Sequence, residues 1–550
     1  MSKNVKKHLP LRTTLIAVMA ASLLGVGVVA TSTAAPQAQA AAVDPTVNGY
    51  RNVGYFPQWG VYARDFKLKK LQDSGGASKL THLNYAFGNI HYQDLTCFIA
   101  NKAQGDGPNG SDGAGDAWAD FGMGYTADNS VAGVADTWDQ KLAGSFNQLK
   151  QLKAKNPNLK TMISIGGWTW SKNFSLAAAT DASRKKLVSS CVNLYLKGNL
   201  PVIDGRGGDG AAAGVFDGID IDWEWPGSNN GNTGNHVDTV NDRANFKALL
   251  QEFRTQLDAL GAQNGKHYEL SAFLPANPAD IASGGWNDPQ LYNYLDFGNI
   301  QGYDLWGAWA PTMTGHQGNL YDDPQDPRPA AQKFSVDKAV KAYLSNGVPA
   351  KQLGIGLAMY GRGWQGAPSS TPWGSATAGA PGKYETGINN YDDIKTVGTD
   401  YYNSAIGAAW RSDGNLWWSY DNAQTVQQKA NYIASKGLGG GMWWDLSGDK
   451  SFELGSVLVN TLKAAPSGPI TSDPTTPTTP PTTPPTTPPT TPPTTPPAGC
   501  AGLPTWSATA TYVKDDQTTY QGKKWKAKWW TQNEAPGASE WGPWEDLGSC

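Results

Sequence analysis

Net charge, metal-ligand clusters and membrane-length apolar runs are what this chain has little of. Its 44 Lys+Arg stand against 47 Asp+Glu, a net charge of −3, which leaves no basic footprint for nucleic acid or an anionic membrane surface. The six His are dispersed, and no Cys/His group has metal-ligand spacing, so neither a metal nor another cofactor is expected. After an apolar stretch at 14–30, no segment is long and apolar enough to cross a bilayer. Cysteine is scarce too. The four present, Cys97, Cys191, Cys500 and Cys550, suit two disulfides in an exported protein.

What is abundant is Trp, 23 residues, with 22 Tyr and 64 Gly. Such a makeup fits surfaces and clefts that stack on flat, uncharged rings, of which sugars are the commonest. Lys3, Lys6, Lys7 and Arg12 precede the apolar stretch, and Ala38-Gln39-Ala40 follows it. Together they read as a secretory signal peptide over 1–40, and hence as a secreted, extracellular protein. Residues 466–498 collapse into Thr-Thr-Pro-Pro repeats, which bury too little to fold and form an extended linker. This linker leaves two cysteines on each side, so Cys97 pairs with Cys191 and Cys500 with Cys550. A large domain at 41–465 and a small module at 499–550 are expected.

In the large domain, strand-like runs at 53–56, 80–87, 161–165, 215–225, 268–274, 297–303, 353–360 and 439–444 alternate with helical patterns such as 138–155 and 242–260. Eight such units predict an α/β fold, a (β/α)8 TIM barrel, with a doubly wound sheet as the alternative. The site then belongs at the C-terminal ends of the strands. Two insertions interrupt the alternation. The Gly- and Asp-rich 103–136 fits no EF-hand spacing and reads as a solvated loop, and 364–418 is long enough for a subdomain on the rim.

The fourth run holds Phe216-Asp217-Gly218-Ile219-Asp220-Ile221-Asp222-Trp223-Glu224-Trp225. Side chains alternate along a strand, so Asp220, Asp222 and Glu224 share one face at about 6–7 Å steps, while Asp217 has the other parity. Three crowded carboxyls cannot all ionise cheaply and titrate as a unit sharing a proton. Glu224, nearest the C-terminal edge, is placed to act as a general acid.

Asp217-x-x-Asp220-x-Asp222-x-Glu224 resembles the signature of family 18 glycoside hydrolases, the chitinases. Ser164-Ile165-Gly166-Gly167, Gln301-Gly302-Tyr303-Asp304, Tyr360-Gly361-Arg362 and Trp443-Trp444-Asp445 resemble the family's other strand-end motifs in order and spacing, with Gln301 where the family has Met. The likeness covers about 50–462. It implies an α+β insertion forming one wall of a groove, and hydrolysis of chitin and N-acetylglucosamine oligomers with the substrate's acetamido oxygen as nucleophile. By the same resemblance Glu224 is the acid/base and Asp222 orients the acetamido group. Asp220 shares a proton with Asp222, with Tyr55 and Ser164 behind it. Tyr303 binds the acetamido carbonyl, and Asp304 and Arg362 hold the sugar near the cut. Trp444 is the floor under the distorted sugar, and Trp168 and Trp309 stack sugars beyond it. An endo-β-N-acetylglucosaminidase on N-glycans would share Glu224 and Asp222, whereas a lectin on the same barrel would generally have lost the acid.

The short module resembles carbohydrate-binding families 5 and 12 through Trp506, Tyr512, Tyr520, Gly522, Trp525 and Ala527-Lys528-Trp529-Trp530-Thr531-Gln532. One of Trp529 and Trp530, with Trp530 favoured, is expected to lie on crystalline polysaccharide, with Trp541 or Trp544 nearby. A monomer is expected.

Overall fold

The computed structural model describes residues 45–100, 115–470 and, between 503 and 549, all but 508–509, 529–530, 533 and 538–541. They fall into two units divided at the Thr/Pro-rich segment. The expected leader, Cys500, Cys550, Trp529, Trp530, Trp541 and residues 103–114 of the expected solvated loop 103–136 lie outside the described residues; the rest of that stretch is not solvated throughout, because its helical turn Trp118–Gly122 buries Ala119, Asp120 and Phe121.

Eight parallel strands form the core of the first unit: β1 Arg51–Pro57, β2 His82–Ile90, β3 Lys160–Gly166, β4 Gly218–Asp222, β5 Glu269–Leu274, β6 Phe297–Ile300, β7 Leu353–Ala358 and β8 Gly440–Trp444. Neighbours follow chain order, and β1 pairs with both β2 and β8. That closing pairing makes a barrel and rules out the doubly wound sheet. The strands are buried on both faces, which is why they read as near-continuous apolar runs rather than as alternation.

Helices cover the outside. The longest, Asp242–Asn264, buries Phe246, Leu249, Leu250, Phe253, Leu257 and Leu260, the i, i+3, i+4, i+7 stripe of a helix lying on a sheet. Each such side chain contributes roughly 1.5–3 kcal/mol by burial. Gly265 ends the helix in the left-handed region at φ 63°. The helix expected over 138–155 is shorter, Gly144–Lys155. Trp138 lies outside it and is almost fully exposed.

The rim insertion is an antiparallel sheet of strands Tyr360–Gln365, Ala378–Gly379, Ile388–Asn390, Thr399–Asn403, Ala408–Ser412 and Leu416–Tyr420 with the short helix Tyr391–Ile394, an α+β unit as expected. Its own core is Trp364, Trp410 and Trp417. Cys97 and Cys191 are joined in a disulfide, Cα to Cα 4.9 Å, across 94 residues.

The second unit has an antiparallel sheet of Gln517–Tyr520, Lys523–Ala527 and Trp544–Ser549, and a pair formed by Thr511–Tyr512 and Thr531–Gln532. Its core is Tyr512, Ala527 and Trp544. Trp544 is therefore not a surface ring: it is buried, and its indole N–H donates to the Glu534 carbonyl at 2.8 Å.

Candidate active site

Asp220 and Asp222 lie on β4, whose last residue is Asp222. Glu224 stands two residues beyond the strand, so the third carboxyl is carried by the turn that follows and not by the sheet. All three are buried. Asp217, before the strand, faces elsewhere: it pairs with Lys153 at 2.7 Å and accepts from the Thr161 N–H at 3.0 Å.

Asp220 is surrounded by donors. Its Oδ2 accepts from Tyr55 Oη at 2.7 Å and Ser164 Oγ at 2.8 Å, and its Oδ1 from Ser271 Oγ at 2.6 Å. Burial raises its pKa, while these bonds oppose the rise. Asp222 has no such shell. It shares a hydrogen bond with Glu224, and its Oδ1 is buried with no partner among the described residues. Burial, then Glu224, then Asp220 push its pKa well above the carboxylate range. Burial also drives Glu224, with the Asp222 bond opposing and the charges of Asp304 and Asp280 adding, to about 8. A proton therefore resides on the Asp222–Glu224 pair at neutral pH.

The Ser164-x-Gly-Gly motif has a steric cause. Gly166 pairs with Asp222 across the β3–β4 ladder, at φ 108°, and a Cβ there would sit 2.2 Å from the Asp222 carbonyl oxygen. Gly167, at φ 75°, leaves room for the Phe87 ring, which a Cβ would meet at 2.6 Å. Phe87 in turn stacks on Trp444 at 5.7 Å, and Tyr55 and Trp59 close the other sides of that indole at 5.5 and 6.2 Å. Trp444 is thus held as one wall of an aromatic box at the C-terminal end of β8.

Beyond β6, Tyr303 is buried against Phe273, and among the described residues its hydroxyl has only the Met442 sulfur, at 3.9 Å, as a hydrogen-bond partner. Asp304 and Arg362, expected to hold sugar, hold each other: Nε and Nη2 of Arg362 each donate to the carboxylate at 2.8 Å, and Tyr360 donates to it at 2.6 Å. The guanidinium lies 5.1 Å from the Trp309 ring centre. Trp168 and Trp309 are 50% and 57% exposed, enough for a ring face to reach solvent, which a core role would not leave.

Residues 51–449 match the model of glycosyl hydrolases family 18, nearly three quarters of the chain. The chain belongs to that family. Residues 505–545 match carbohydrate-binding module family 5/12. Among family 18 relatives, "Chitinase C" of Streptomyces lividans is 39% identical over 414 residues, covering 74% of this chain and 58% of the relative. "Chitinase A1" of Niallia circulans is 34% identical over 489 residues, covering 84% and 64%. The chain thus spans about 60% of the length of these curated relatives. A solved family 18 structure, the catalytic domain of psychrophilic chitinase B from Arthrobacter TAD20, is 71% identical with a TM-score of 0.76, covering 78% of this chain and 98% of that one.

Several side chains at this site carry no motif signal. Ser271, the third donor to Asp220, sits in the otherwise apolar run Leu270-Ser271-Ala272-Phe273, and a polar residue of inward parity there is the one available clue. Ser171 accepts from the Glu224 N–H at 2.9 Å and shares its proton between the Gly167 and Asp222 carbonyls at 2.8 and 3.0 Å. Phe87 and Trp59 were visible only as generic aromatics. Cis peptide bonds join Ala86 to Phe87, Glu224 to Trp225 and Trp444 to Asp445, all at this end of the barrel.

Proposed function

We propose that this chain is a secreted chitinase that cleaves β-1,4 bonds between N-acetylglucosamine units with retention, using the substrate's acetamido oxygen as nucleophile. The observation that carries this is the asymmetry of the acid row. The Asp222–Glu224 pair holds a proton at neutral pH, and among the described residues nothing bonds the buried Oδ1 of Asp222. An acetamido N–H would supply a donor, relieving an unmet bond worth about 1–3 kcal/mol. The names of the curated relatives support chitin as substrate.

Glu224 gives its proton to the glycosidic oxygen as the acetamido carbonyl oxygen attacks C1, and the C1–O bond breaks to release the leaving sugar. Asp222 accepts from the acetamido N–H and stabilises the resulting oxazolinium, with the Asp220 charge behind it. Glu224 then takes a proton from water, whose oxygen attacks C1 and reopens the ring. Tyr303, whose hydroxyl has only a sulfur for a partner among the described residues, donates to the acetamido oxygen. Trp444 floors the distorted sugar, Trp168 and Trp309 stack further units, and the Asp304–Arg362 pair binds sugar hydroxyls between them.

Around this centre, residues 1–40 act as a cleaved leader, 41–465 as a monomeric catalytic barrel with the insertion 364–418 as a groove wall, 466–498 as a linker, and 499–550 as a chitin-binding module using Trp529 or Trp530. The Cys97–Cys191 disulfide fits an oxidising, extracellular destination. The test is the anomer of the first product from chitohexaose, read by proton NMR before mutarotation. Excess β-anomer is expected, and excess α-anomer would overturn the mechanism.

A further inference from the structure

Glu224 stands past the end of β4, so side chains rather than the sheet hold its backbone. Its N–H donates to Ser171 Oγ, and its carbonyl accepts from Asn235 Nδ2, both at 2.9 Å. Asn235 belongs to the loop that leaves Glu224 and folds back upon it, so closely that a Cβ on Gly231 would sit 2.3 Å from the Glu224 carbonyl oxygen. The return path is set by the next barrel unit. Helix Pro278–Gly284 follows β5, and its Asp280 is buried. Asp280 Oδ1 accepts from Ser228 Oγ at 2.6 Å and Asn230 Nδ2 at 2.8 Å, and Ser283 Oγ on the same helix donates to the Pro226 carbonyl at 3.1 Å. An asparagine could accept both bonds to Asp280. The charge therefore asks for a reason of its own, since burying a carboxylate is costly.

We propose that Asp280 is a positioning residue for the catalytic acid: it clamps the 226–235 loop that fastens the Glu224 backbone and sets a buried negative charge near its carboxyl. The inference rests on Glu224 being the acid. The titratable groups facing Glu224 are Asp222 on β4, Tyr303 and Asp304 after β6, and Asp280. Asp280 faces Tyr343 of helix Val336–Leu344, and burial raises its own pKa while Ser228, Asn230 and Asn277 pull it back. Asp304 is paired with Arg362, whereas among the described residues Asp280 is bonded by the neutral donors Ser228 and Asn230.

The experiment measures kcat and KM on chitohexaose from about pH 4 to 10 for wild type, Asp280→Asn, Asp280→Ala, Ser228→Ala and, as reference, Glu224→Gln. Asp280→Ala is expected to lower kcat about tenfold with KM within about twofold. Asp280→Asn should recover most of kcat, yet move the falling limb of kcat/KM down by roughly half a pH unit. Ser228→Ala removes one clamp bond with the helix intact, so it still reports if Asp280→Ala fails to fold, and it should lower kcat about threefold at unchanged KM. An unmoved limb in Asp280→Asn, or an unchanged kcat in Ser228→Ala, with Glu224→Gln inactive, overturns the role of Asp280 alone. Retained activity in Glu224→Gln overturns the acid assignment and this inference with it.

Discussion

Tyr55 on β1 donates its hydroxyl to Asp220 on β4 at 2.7 Å, across the barrel interior between strands that are not neighbours in the sheet. Both side chains are fully buried. The bond ties the lowest member of the acid row to the opposite wall, and with Ser164 and Ser271 it occupies both Asp220 oxygens. That leaves Asp222 to turn to Glu224 for its bond.

Tyr55→Phe should therefore weaken catalysis through Asp220. Losing one donor to a buried carboxylate costs about 1–2 kcal/mol, and a drop of about tenfold in kcat is expected. Ser271→Ala should act in the same direction. Steady-state kinetics on chitohexaose decides it, and unchanged kcat in both variants would detach Asp220 from the mechanism.

Glu224→Gln should keep oligomer binding and lose turnover by roughly 10²-fold or more. Asp222→Asn should fail comparably, since the acetamido group loses its orientation and the oxazolinium its counter-charge. Calorimetric binding of chitohexaose to each variant, beside product release, separates lost chemistry from lost fold.

With Glu224 pushed up to about 8, activity should fall as pH rises through that value, because the acid must enter protonated. Stability follows the same group. Its folded pKa exceeds the ordinary glutamate value of 4.5, so between the two the folded state binds the extra proton, and stability declines as pH rises across that window. Glu224→Gln removes this loss. The melting temperature of the variant, relative to wild type, should be higher at pH 9 than at pH 4, and a pH-independent difference would count against the raised pKa.

The Cys97–Cys191 disulfide closes 94 residues of chain, from the short strand Cys97–Phe98 after β2 to the end of helix Asp181–Cys191. Replacing both cysteines by Ala should cost about 2–5 kcal/mol. Thermal unfolding of the double variant, with and without reductant, checks it: a wild-type melting temperature under reducing conditions would contradict the estimate.

Deleting 466–550 should spare chitohexaose hydrolysis and reduce action on crystalline chitin, because the tail raises local concentration without touching the site. Trp530→Ala should reproduce part of that loss, about 1–3 kcal/mol if that ring carries the contact. Equal retention of full-length and truncated protein on chitin beads would refute it.

How much of this was legible depended on the range of the interaction. Strand positions were readable because strands buried on both faces leave an unmistakable apolar run. The strand's end was not. The apolar alternation of Ile219, Ile221 and Trp223 continues smoothly past Asp222, yet the backbone turns there, and Trp223 goes to stack on Phe174 at 5.2 Å. Trp544 illustrates the same limit: in a module of about fifty residues an aromatic can be core or surface, and only packing against Tyr512 decides.

By itself the sequence determined the residue types at the strand ends, the order of the eight units and the spacing that puts two aspartates on one strand face, because all of these follow from periodicity along a single chain. Only the tertiary structure decided which partners each carboxyl meets. Tyr55, Ser164 and Ser271 reach Asp220 from three different strands, Ser171 from the helical turn Ser171–Asn173 and Asn235 from a loop grip Glu224, and Asp304 is claimed by Arg362 from the rim. Protonation is set by burial and by neighbours distant in sequence, and those neighbours meet only when the barrel closes.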